Sequence, residues 1–195
     1  MTFLEEKVAQ LADSLTVISS VLLSRALALG VSREKMHLLP NGIDLDRVTR
    51  MPRRSARALL GIDEQDKVIV YEGGSTVFED ALVLLIRSFA SLARVRPEAK
   101  LFLTFGHSGI QTETSGKIRQ ISALSGITDR VFLLPNIRIE ALWMLLSAAD
   151  ILALPLSKAI ASVAMVPQRL SDYLSAGRPL VVTDMGDVKL FKKRE

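Results

Sequence analysis

Residues 167–183 have the sequence PQRLSDYLSAGRPLVVT, a pattern typical of a short helix followed by a buried strand. Pro167 suits the first helical position, where a missing N–H costs nothing, and Gly177 can adopt the left-handed conformation that ends a helix. Asp172 lies about one turn into this helix. The segment therefore predicts a site where an anion lies on the helix start while Asp172 reaches the polar group attached to it.

The start of this helix offers further candidate contacts. The backbone N–H groups of Gln168 and Arg169 have no partner within the helix and face its positive end. The Arg169 guanidinium could hold a phosphate through two hydrogen bonds, although a surface position or a salt bridge to Asp172 explains this residue equally well. A nucleotide sugar, in which a diphosphate joins a nucleoside to a sugar, has the shape that such a site would bind.

Apolar strands and amphipathic helices alternate along the rest of the chain. Most of the strands are continuous apolar runs, which indicates that they are covered on both faces, as in a parallel sheet between two helix layers. We therefore predict a doubly wound α/β fold, whose ligands bind beyond the carboxyl ends of the strands. The predicted strands are 15–18, 36–39, 68–71, 101–105, 131–134, 151–154 and 180–182, and the predicted helices between 19 and 148 are 19–29, 55–60, 78–95, 110–125 and 139–148.

Small or polar residues follow several of these strands. Gly73, Gly74 and Ser75 follow the strand 68–71 and precede a helix, so bare backbone could approach a phosphate there. A tight strand-to-helix turn explains the same glycines equally well.

Composition excludes several classes of protein. The chain has 195 residues, of which 49% are hydrophobic and 24% charged, as in folded globular domains. It contains no cysteine, which excludes disulfides and thiolate metal sites, and only two histidines, which do not suggest a zinc site. No apolar run is long enough to cross a membrane, and the N-terminal stretch does not resemble a signal peptide. We expect a cytoplasmic protein.

The net charge of +4 is unevenly distributed. A solvated linker face is the simpler explanation of the arginines, and attraction to an anionic membrane surface is the alternative. Nucleic-acid binding is not expected, because only 5% of residues are aromatic and no recognition motif occurs. The basic residues concentrate at Arg47, Arg50, Arg53, Arg54 and Arg57, and at Lys189, Lys192, Lys193 and Arg194.

Four segments, in this order, resemble those of GT-B glycosyltransferases of the large retaining family 4. Residues 38–44 are similar to the segment that leads from the first Rossmann-like domain into the second, and 71–74 to the glycine loop of the second domain. Residues 148–157 resemble the strand before the donor helix, and 167–179 resemble the donor helix itself. The resemblance covers nearly the whole chain.

The resemblance implies the Rossmann-like doubly wound sheet of the C-terminal domain of a GT-B fold, incomplete at both ends. Residues 1–45 would then form the end of an N-terminal Rossmann-like domain and the interdomain linker. Residues 46–195 would form a truncated nucleotide-sugar-binding domain. We expect this piece alone to bind donor at most, without catalysis.

The family's donor contacts can be carried over position by position. Asp172 matches the second acidic residue of a paired motif that holds the ribose hydroxyls, whereas the first acidic residue would fall near Ala164, which cannot bind a sugar hydroxyl. Asn136 and Ile137 match the position where backbone groups hold the nucleobase, and Gly106 begins a loop near the donor. The resemblance identifies no catalytic residue.

The glycine loop departs from the family pattern. Relatives place an arginine after the loop glycine and a lysine before the next helix, both of which hold the diphosphate. This chain has Gly74 or Ser75 at the first position and Glu79 or Asp80 at the second. Glu72 adds a further carboxylate, and carboxylates repel a phosphate.

The implied function is the donor-binding part of a retaining glycosyltransferase that transfers a sugar from a nucleotide sugar to an acceptor hydroxyl. Such an enzyme needs no metal or other cofactor; its glycan or lipid-linked acceptor would be bound through the N-terminal domain, with a possible peripheral contact to the inner face of an anionic membrane. The lost cations and Ala164 favour one alternative, a catalytically inactive GT-B-like binding module. An epimerase-type GT-B enzyme acting on nucleotide sugars is the other, and it would require more acid/base residues.

Overall fold

A computed structural model describes residues 2–73, 79–105 and 112–191 of the chain. The helices are α1 (Thr2–Leu11), α2 (Ser20–Ala28), α3 (Arg53–Leu60), α4 (Glu79–Val95), α5 (Thr112–Leu124), α6 (Ile139–Ala148), α7 (Ile160–Ala164) and α8 (Gln168–Ala176). The strands are β1 (Leu15–Val17), β2 (Met36–Leu38), β3 (Lys67–Gly73), β4 (Ala99–Phe105), β5 (Val131–Pro135), β6 (Ile151–Leu154) and β7 (Leu180–Val182). These elements form two compact units. The first contains residues 1–43, 156–168 and 183–195, and the second contains 44–155 and 169–182.

The second unit is built around a five-stranded parallel sheet in the order β5-β4-β3-β6-β7. The order runs outward from β3 in both directions, which is the doubly wound arrangement predicted from the continuous apolar strands. The sequence prediction of fold class is therefore confirmed. The strands β3 and β6 lie side by side at the centre, so the carboxyl end of β3 lies where the strand order reverses.

Alternate residues of the strands bury opposite faces of this sheet. One face packs against α4 and α5, with Ile86, Leu101 and Ile118 among the residues that are at most 2% exposed. Burial of a side chain of this size contributes about 1.5–3 kcal/mol. The other face carries Phe102 stacked on Phe132, with ring centroids 4.8 Å apart. Both faces are covered, as the apolar strand pattern predicts.

The first unit holds a two-stranded parallel sheet, β1 and β2. Ser19 caps α2 by accepting a hydrogen bond from the Leu22 N–H at 3.1 Å. Asp187 is buried, and its carboxylate accepts hydrogen bonds from both the backbone N–H and the hydroxyl of Ser20. The Asp187 carboxylate is therefore engaged at the start of α2.

The predicted elements agree with the structure to within about two residues at most ends. Gly61 and Gly177 adopt the left-handed conformation after α3 and α8, with φ of +65° and +66°, as predicted for helix ends. Helix α8 begins at Gln168, so Pro167 precedes the helix instead of opening it. The sequence patterns did not predict α1 or the five-residue helix α7.

Candidate functional site

A group of charged and phenolic side chains lies at the carboxyl end of β3 in the second unit. We call it the carboxyl-edge cluster; it consists of Tyr71 and Glu72 of β3 with Arg169, Asp172 and Tyr173 of α8. The cluster forms because β3 ends at Gly73 and α8 begins at Gln168, which places the end of the central strand against the first turns of the helix. Ligands of doubly wound sheets bind at this edge.

Arg169 is positioned by β3. Its Nη1 donates to the backbone carbonyl of Glu72 and, at 3.3 Å, to the hydroxyl of Tyr71. The guanidinium carbon lies 5.6 Å from the centroid of the Tyr71 ring, within range of a cation–π interaction. The backbone N–H of Glu72 donates to the hydroxyl of Tyr173 at 2.7 Å, which ties α8 to the same strand end. Because four contacts fix strand and helix together, the guanidinium is held in place before any ligand binds.

Two polar side-chain atoms near the carboxyl ends of β3 and β4 are buried without hydrogen-bond partners among the described residues. Among the described residues, neither Oε2 of Glu72 nor Oγ1 of Thr104 has a partner. Glu72 and Thr104 are paired in register on β3 and β4, so their side chains leave the same face of the sheet. An unsatisfied buried polar atom costs about 1–3 kcal/mol. Two such atoms side by side at the ligand edge indicate a site that is completed by something polar.

Burial and charge shift the pKa values in this cluster. Burial raises the pKa of Glu72 to about 7, against the opposing effect of Arg169, and the carboxylate of Asp172 raises it further. Burial also raises the pKa of Asp172, and Arg169 counteracts this rise. For Arg169, burial lowers the pKa, but Tyr71, Tyr173 and Glu72 outweigh it, and the net shift is upward. Burial raises the pKa of Tyr173 well above its usual range. The cluster therefore holds one permanent cation and two carboxyls that resist ionisation.

Of the predicted phosphate contacts Gly73, Gly74 and Ser75, the structure describes Gly73; Gly74 and Ser75 lie outside the described residues. A Cβ on Gly73 would lie 2.5 Å from the ring of Phe105 and 2.8 Å from that of Tyr71. The two rings occupy the space that a side chain would need. Packing therefore requires glycine at this position, whether or not the backbone contacts a phosphate.

The predicted nucleobase position, residues 136–137, follows β5 at the same edge of the sheet. Asn136 is exposed and adopts a left-handed conformation, with φ of +57°. The N–H of Ile137 donates to the carbonyl of Phe105 at 3.3 Å, so this backbone group is already used within the sheet. A base would have to contact other backbone groups of the turn. Gly106, the third predicted loop position, lies outside the described residues.

Pro167 and Gln168 belong to the first unit, although α8 continues from them into the second. The Gln168 side chain donates to the carbonyl of Gly42 at 2.7 Å, which commits its amide within the first unit. Its backbone N–H still belongs to the first turn of α8. Of the predicted donor contacts, the described structure brings Gly73, Arg169 and Asp172 together at the end of β3 and the start of α8.

The sequence patterns assign no role to Thr104 or to the two tyrosines of the cluster, and they present Glu72 only as an unfavourable charge. A signal for Thr104 exists in the sequence, because it is the one polar residue of the apolar run 101–105. Glu72 likewise directly follows the apolar run 68–71. Neighbouring strands that each place a polar residue near the carboxyl end could have identified the pair.

A second charged cluster lies at the opposite edge of the sheet, and we call it the amino-edge cluster. Its guanidinium, Arg57 of α3, is completely buried and donates to the carboxylate of Asp150 at 2.7 Å. The same Asp150 oxygen accepts the N–H of Val68 at 2.7 Å, and Arg53 lies 3.2 Å from the other oxygen. The remaining Arg57 hydrogen bonds go to the backbone carbonyls of Ala148, Asp63, Glu64 and Asp66.

This cluster corrects the sequence interpretation of a solvated linker face for Arg57, which is buried, and in part for Arg53; Arg47, Arg50 and Arg54 are exposed, as that interpretation expects. Arg57 joins the end of α6, the start of β3 and the loop before it. Asp150 belongs to the segment that resembles the strand before the donor helix, and its described contacts are structural. The buried charge is matched by a full set of acceptors, which is what a buried guanidinium requires.

Within the described residues, no group of three or more His, Asp or Glu side chains is arranged to hold a metal ion. The described helices also include none that is both long and apolar enough to cross a membrane.

Comparison with known proteins identifies a glycosyltransferase family and a fold shared with solved glycosyltransferase structures. The family model described as Glycosyl transferases group 1 matches residues 66–194. D-inositol 3-phosphate glycosyltransferase of Nocardia farcinica is 29% identical over 160 residues, covering 80% of this chain and 34% of that protein. The enzyme of the same name from Mycolicibacterium smegmatis is 28% identical over 184 residues, covering 93% and 40%. This chain thus spans between a third and two fifths of the length of these two relatives.

Solved structures of glycosyltransferases share the fold. HepE of Anabaena, crystallised with UDP and glucose, superimposes with a TM-score of 0.80 over 99% of this chain and 50% of that chain, at 17% identity. WaaG, a glycosyltransferase involved in lipopolysaccharide biosynthesis, superimposes with a TM-score of 0.71 at 21% identity, over 89% and 45%. At these identities the comparison establishes the fold, which is that of GT-B glycosyltransferases.

Proposed function

Because the chain belongs to the family Glycosyl transferases group 1, we propose that it binds a nucleotide sugar and forms the donor-binding part of a retaining glycosyltransferase. The observation that carries this proposal is the position of Arg169. A guanidinium fixed by β3 lies at the start of α8, where the helix dipole also favours a negative charge. Arg169 compensates for the cations that the glycine loop lacks.

Asp172 is placed to hold the nucleoside. It lies one turn further along α8 than Arg169, and it is partly buried beside the guanidinium. A carboxylate at this distance from a bound diphosphate can accept hydrogen bonds from ribose hydroxyls, which are the groups that the family resemblance assigns to this position. Arg169 and Asp172 together match the two halves of a nucleoside diphosphate, one anionic and one rich in hydroxyls.

The remaining parts of the proposed reaction are acceptor binding and the transfer of the sugar. Transfer with retention to a glycan or lipid-linked acceptor would use acceptor contacts from an N-terminal domain, and we expect this chain alone to bind donor without catalysis. A metal is not required by the proposal, since Arg169 and the dipole of α8 would stabilise the leaving diphosphate. Cytoplasmic location stays a prediction from the sequence.

Peripheral contact with an anionic membrane also stays a prediction, and the described structure lends it little support. Arg53 and Arg57 pair with Asp150, and Arg47 lies 3.3 Å from Asp44. Three arginines of the basic segment are therefore partly or wholly neutralised by carboxylates. The charge available to a lipid surface is smaller than the sequence suggests.

A catalytically inactive binding module is the alternative that a specific observation favours. Ala164 stands where the family has an acidic residue, and its carbonyl accepts the hydroxyl of Ser19 within the first unit. Both functions predict nucleotide binding; sugar transfer in a chain that includes the N-terminal domain would separate them.

A thermal-shift titration with UDP, GDP, ADP and dTDP tests the proposal. A ligand present at about 100 times its dissociation constant adds roughly 2.7 kcal/mol of stability, which raises Tm by several degrees. We expect one nucleotide to raise Tm and Arg169→Ala to reduce the rise by about half or more. The exposed Arg87→Ala on α4 serves as the control and should keep it. A folded protein that responds to none of the four would contradict the proposal.

A further inference from the structure

The carboxyl-edge cluster has a charge problem as an anion site. Arg169 supplies one positive charge, whereas Glu72 and Asp172 supply two negative charges if both are ionised. A diphosphate would then approach a site of net charge −1 inside the protein, where like charges repel strongly. An anion site needs one of the two carboxyls to be neutral.

The surroundings of the two carboxyls single out Glu72 as the neutral one. Its Oε2 is sealed from solvent with no hydrogen-bond partner among the described residues, and the neighbouring side chain on β4, Thr104, is completely buried. Asp172 on α8 lies one turn from Arg169 and has access to solvent. Its negative charge repels an ionised carboxylate at Glu72. An ionised carboxylate in the position of Glu72 would have one oxygen without a donor.

We propose, on the basis of the proposed function, that Glu72 binds the ligand as a neutral carboxylic acid. The protonated carboxyl and the Arg169 guanidinium donate hydrogen bonds to the same phosphate group, and each ligand that binds at alkaline pH takes up one proton. Glu72 thereby supplies a hydrogen-bond donor that partly replaces the cations missing from the glycine loop. The glutamate that the sequence presents as an obstacle to phosphate binding becomes part of the site.

The charged and titratable groups that face Glu72 agree with this role. From α8 these are Arg169, which remains protonated, Asp172, and Tyr173, whose phenol stays neutral at accessible pH. On β4, Thr104 leaves the same face of the sheet as Glu72, whereas the Tyr71 side chain on β3 leaves the opposite face. Burial raises the pKa of Glu72 to about 7, so the carboxyl is half-protonated near neutral pH before ligand binds.

The direction and the size of the pH dependence of ligand binding follow from the pKa of Glu72. A ligand that requires protonated Glu72 binds with full affinity well below pH 7 and with progressively lower affinity above pH 7. With a pKa of about 7, the dissociation constant should rise about tenfold between pH 6 and pH 8. Proton uptake should be close to none at pH 6 and close to one proton per ligand at pH 8.

Isothermal titration calorimetry measures both quantities. The probe is the nucleotide sugar that matches the base selected by the thermal-shift series: UDP-glucose, GDP-mannose, ADP-glucose or dTDP-glucose. These are diesters of diphosphate and take up no proton near neutral pH, unlike the free nucleoside diphosphates. Titrations at pH 8 in HEPES and in Tris, buffers of different ionisation enthalpy, give the number of protons taken up.

Three variants locate the proton. Glu72→Gln keeps the shape and is always neutral, so its dissociation constant should vary less than twofold between pH 6 and pH 8, with no proton uptake. Asp172→Asn should bind more weakly but keep a pH dependence of about tenfold or more, because loss of the Asp172 charge lowers the pKa of Glu72. The control is Glu98→Gln, which lies just before β4 at the opposite edge of the sheet and should behave as the wild type.

The outcomes of the calorimetry separate the inference about Glu72 from the proposed function. Binding by the wild type that does not change with pH would overturn this inference and leave the proposed function standing. Loss of the pH dependence in Asp172→Asn, with its retention in Glu72→Gln, would assign the proton to Asp172 and also overturn it. Absence of binding by all four nucleotide sugars at pH 6 would overturn the proposed function, and this inference with it.

Discussion

Two clusters of buried charge lie at opposite edges of the five-stranded sheet, and they are built in opposite ways. At the amino edge, the Arg57 guanidinium and the Asp150 carboxylate are engaged with each other, with Arg53 and with backbone groups, and within that cluster only Nε of Arg53 is buried without a hydrogen-bond partner among the described residues. At the carboxyl edge, Arg169 is held firmly, but Glu72 and Thr104 keep atoms without partners. Compensated charge stabilises a fold, whereas uncompensated charge costs stability that a ligand can restore.

The two clusters also show that a residue in a segment resembling the family can have either a structural or a binding role. Asp150 lies in a segment that resembles the family, and it accepts hydrogen bonds that join Arg57 to the start of β3. Arg169 belongs to another such segment and faces the ligand edge. The arrangement of partners around each residue, more than the presence of a motif, distinguishes support from binding.

The largest expected effect lies at the amino edge. Asp150→Asn should lower the free energy of unfolding by about 3–5 kcal/mol, because the buried Arg57 loses its counter-charge. Urea denaturation measures this loss, and Asp129→Asn, an exposed aspartate, should change stability by less than about 0.5 kcal/mol. Adding Arg57→Met to Asp150→Asn should recover part of the loss, since no charge is then stranded. A loss below about 1 kcal/mol would refute the structural role of the pair.

The next effect concerns stability at the carboxyl edge. Since the pKa of folded Glu72 is raised from 4.5 to about 7, the folded state binds more protons than the unfolded state between these values. The wild type should therefore lose stability as pH rises through this window, by a total on the order of 3 kcal/mol. Glu72→Gln should remove this loss, and at pH 8 it should be the more stable protein.

Urea denaturation at pH 5 and pH 8 tests this second prediction. The informative quantity is the difference between wild type and Glu72→Gln at each pH, because other titrating groups contribute equally to both. An equal difference at the two pH values would show that Glu72 is ionised in the folded protein across the whole range, and the contrast between the two edges would disappear.

A third effect separates anion binding from stability. Arg169→Ala should weaken binding of the selected nucleoside diphosphate by about 1.5–3 kcal/mol, the range for a hydrogen bond to a charged group. Arg169→Lys should recover only part of the affinity, because an ammonium cannot form two parallel hydrogen bonds with a phosphate. Calorimetry at pH 6 measures both variants. Wild-type affinity in Arg169→Ala would place the anion elsewhere.

The smallest effect distinguishes the nucleoside from the phosphates. Asp172→Ala should weaken nucleoside diphosphate binding by about 1–3 kcal/mol if the carboxylate holds ribose hydroxyls. The affinity for inorganic pyrophosphate, which has no ribose, should not fall in the same variant. Calorimetry with both ligands provides the test, and an equal loss for the two would exclude a specific contact between Asp172 and the ribose.

The fold follows from the sequence because its signals are local. Continuous apolar runs specify buried parallel strands, and glycines such as Gly61 and Gly177 end helices at the predicted positions. The pairing of Arg169 and Asp172 was also predictable, since both lie within one turn of a single helix. These features depend on neighbours along the chain.

The rest depends on residues that are distant in sequence. Arg57 and Asp150 are separated by 93 positions, so an arginine-rich segment gives no local sign that one of its members is buried. Glu72 and Thr104 are brought together only by the register of β3 and β4. Sequence alone could see that Glu72 is a carboxylate at a phosphate loop, but its burial, which changes its expected protonation, arises from tertiary packing.

A crystal structure of this chain with the nucleotide sugar that it binds would test the central claim most directly, which is that the incomplete cluster at the carboxyl edge is the donor site. We expect a phosphate oxygen at hydrogen-bond distance, about 3 Å, from the guanidinium of Arg169, and a second from the carboxyl of Glu72. A ligand bound away from both residues, with Glu72 still without a partner, would contradict the claim.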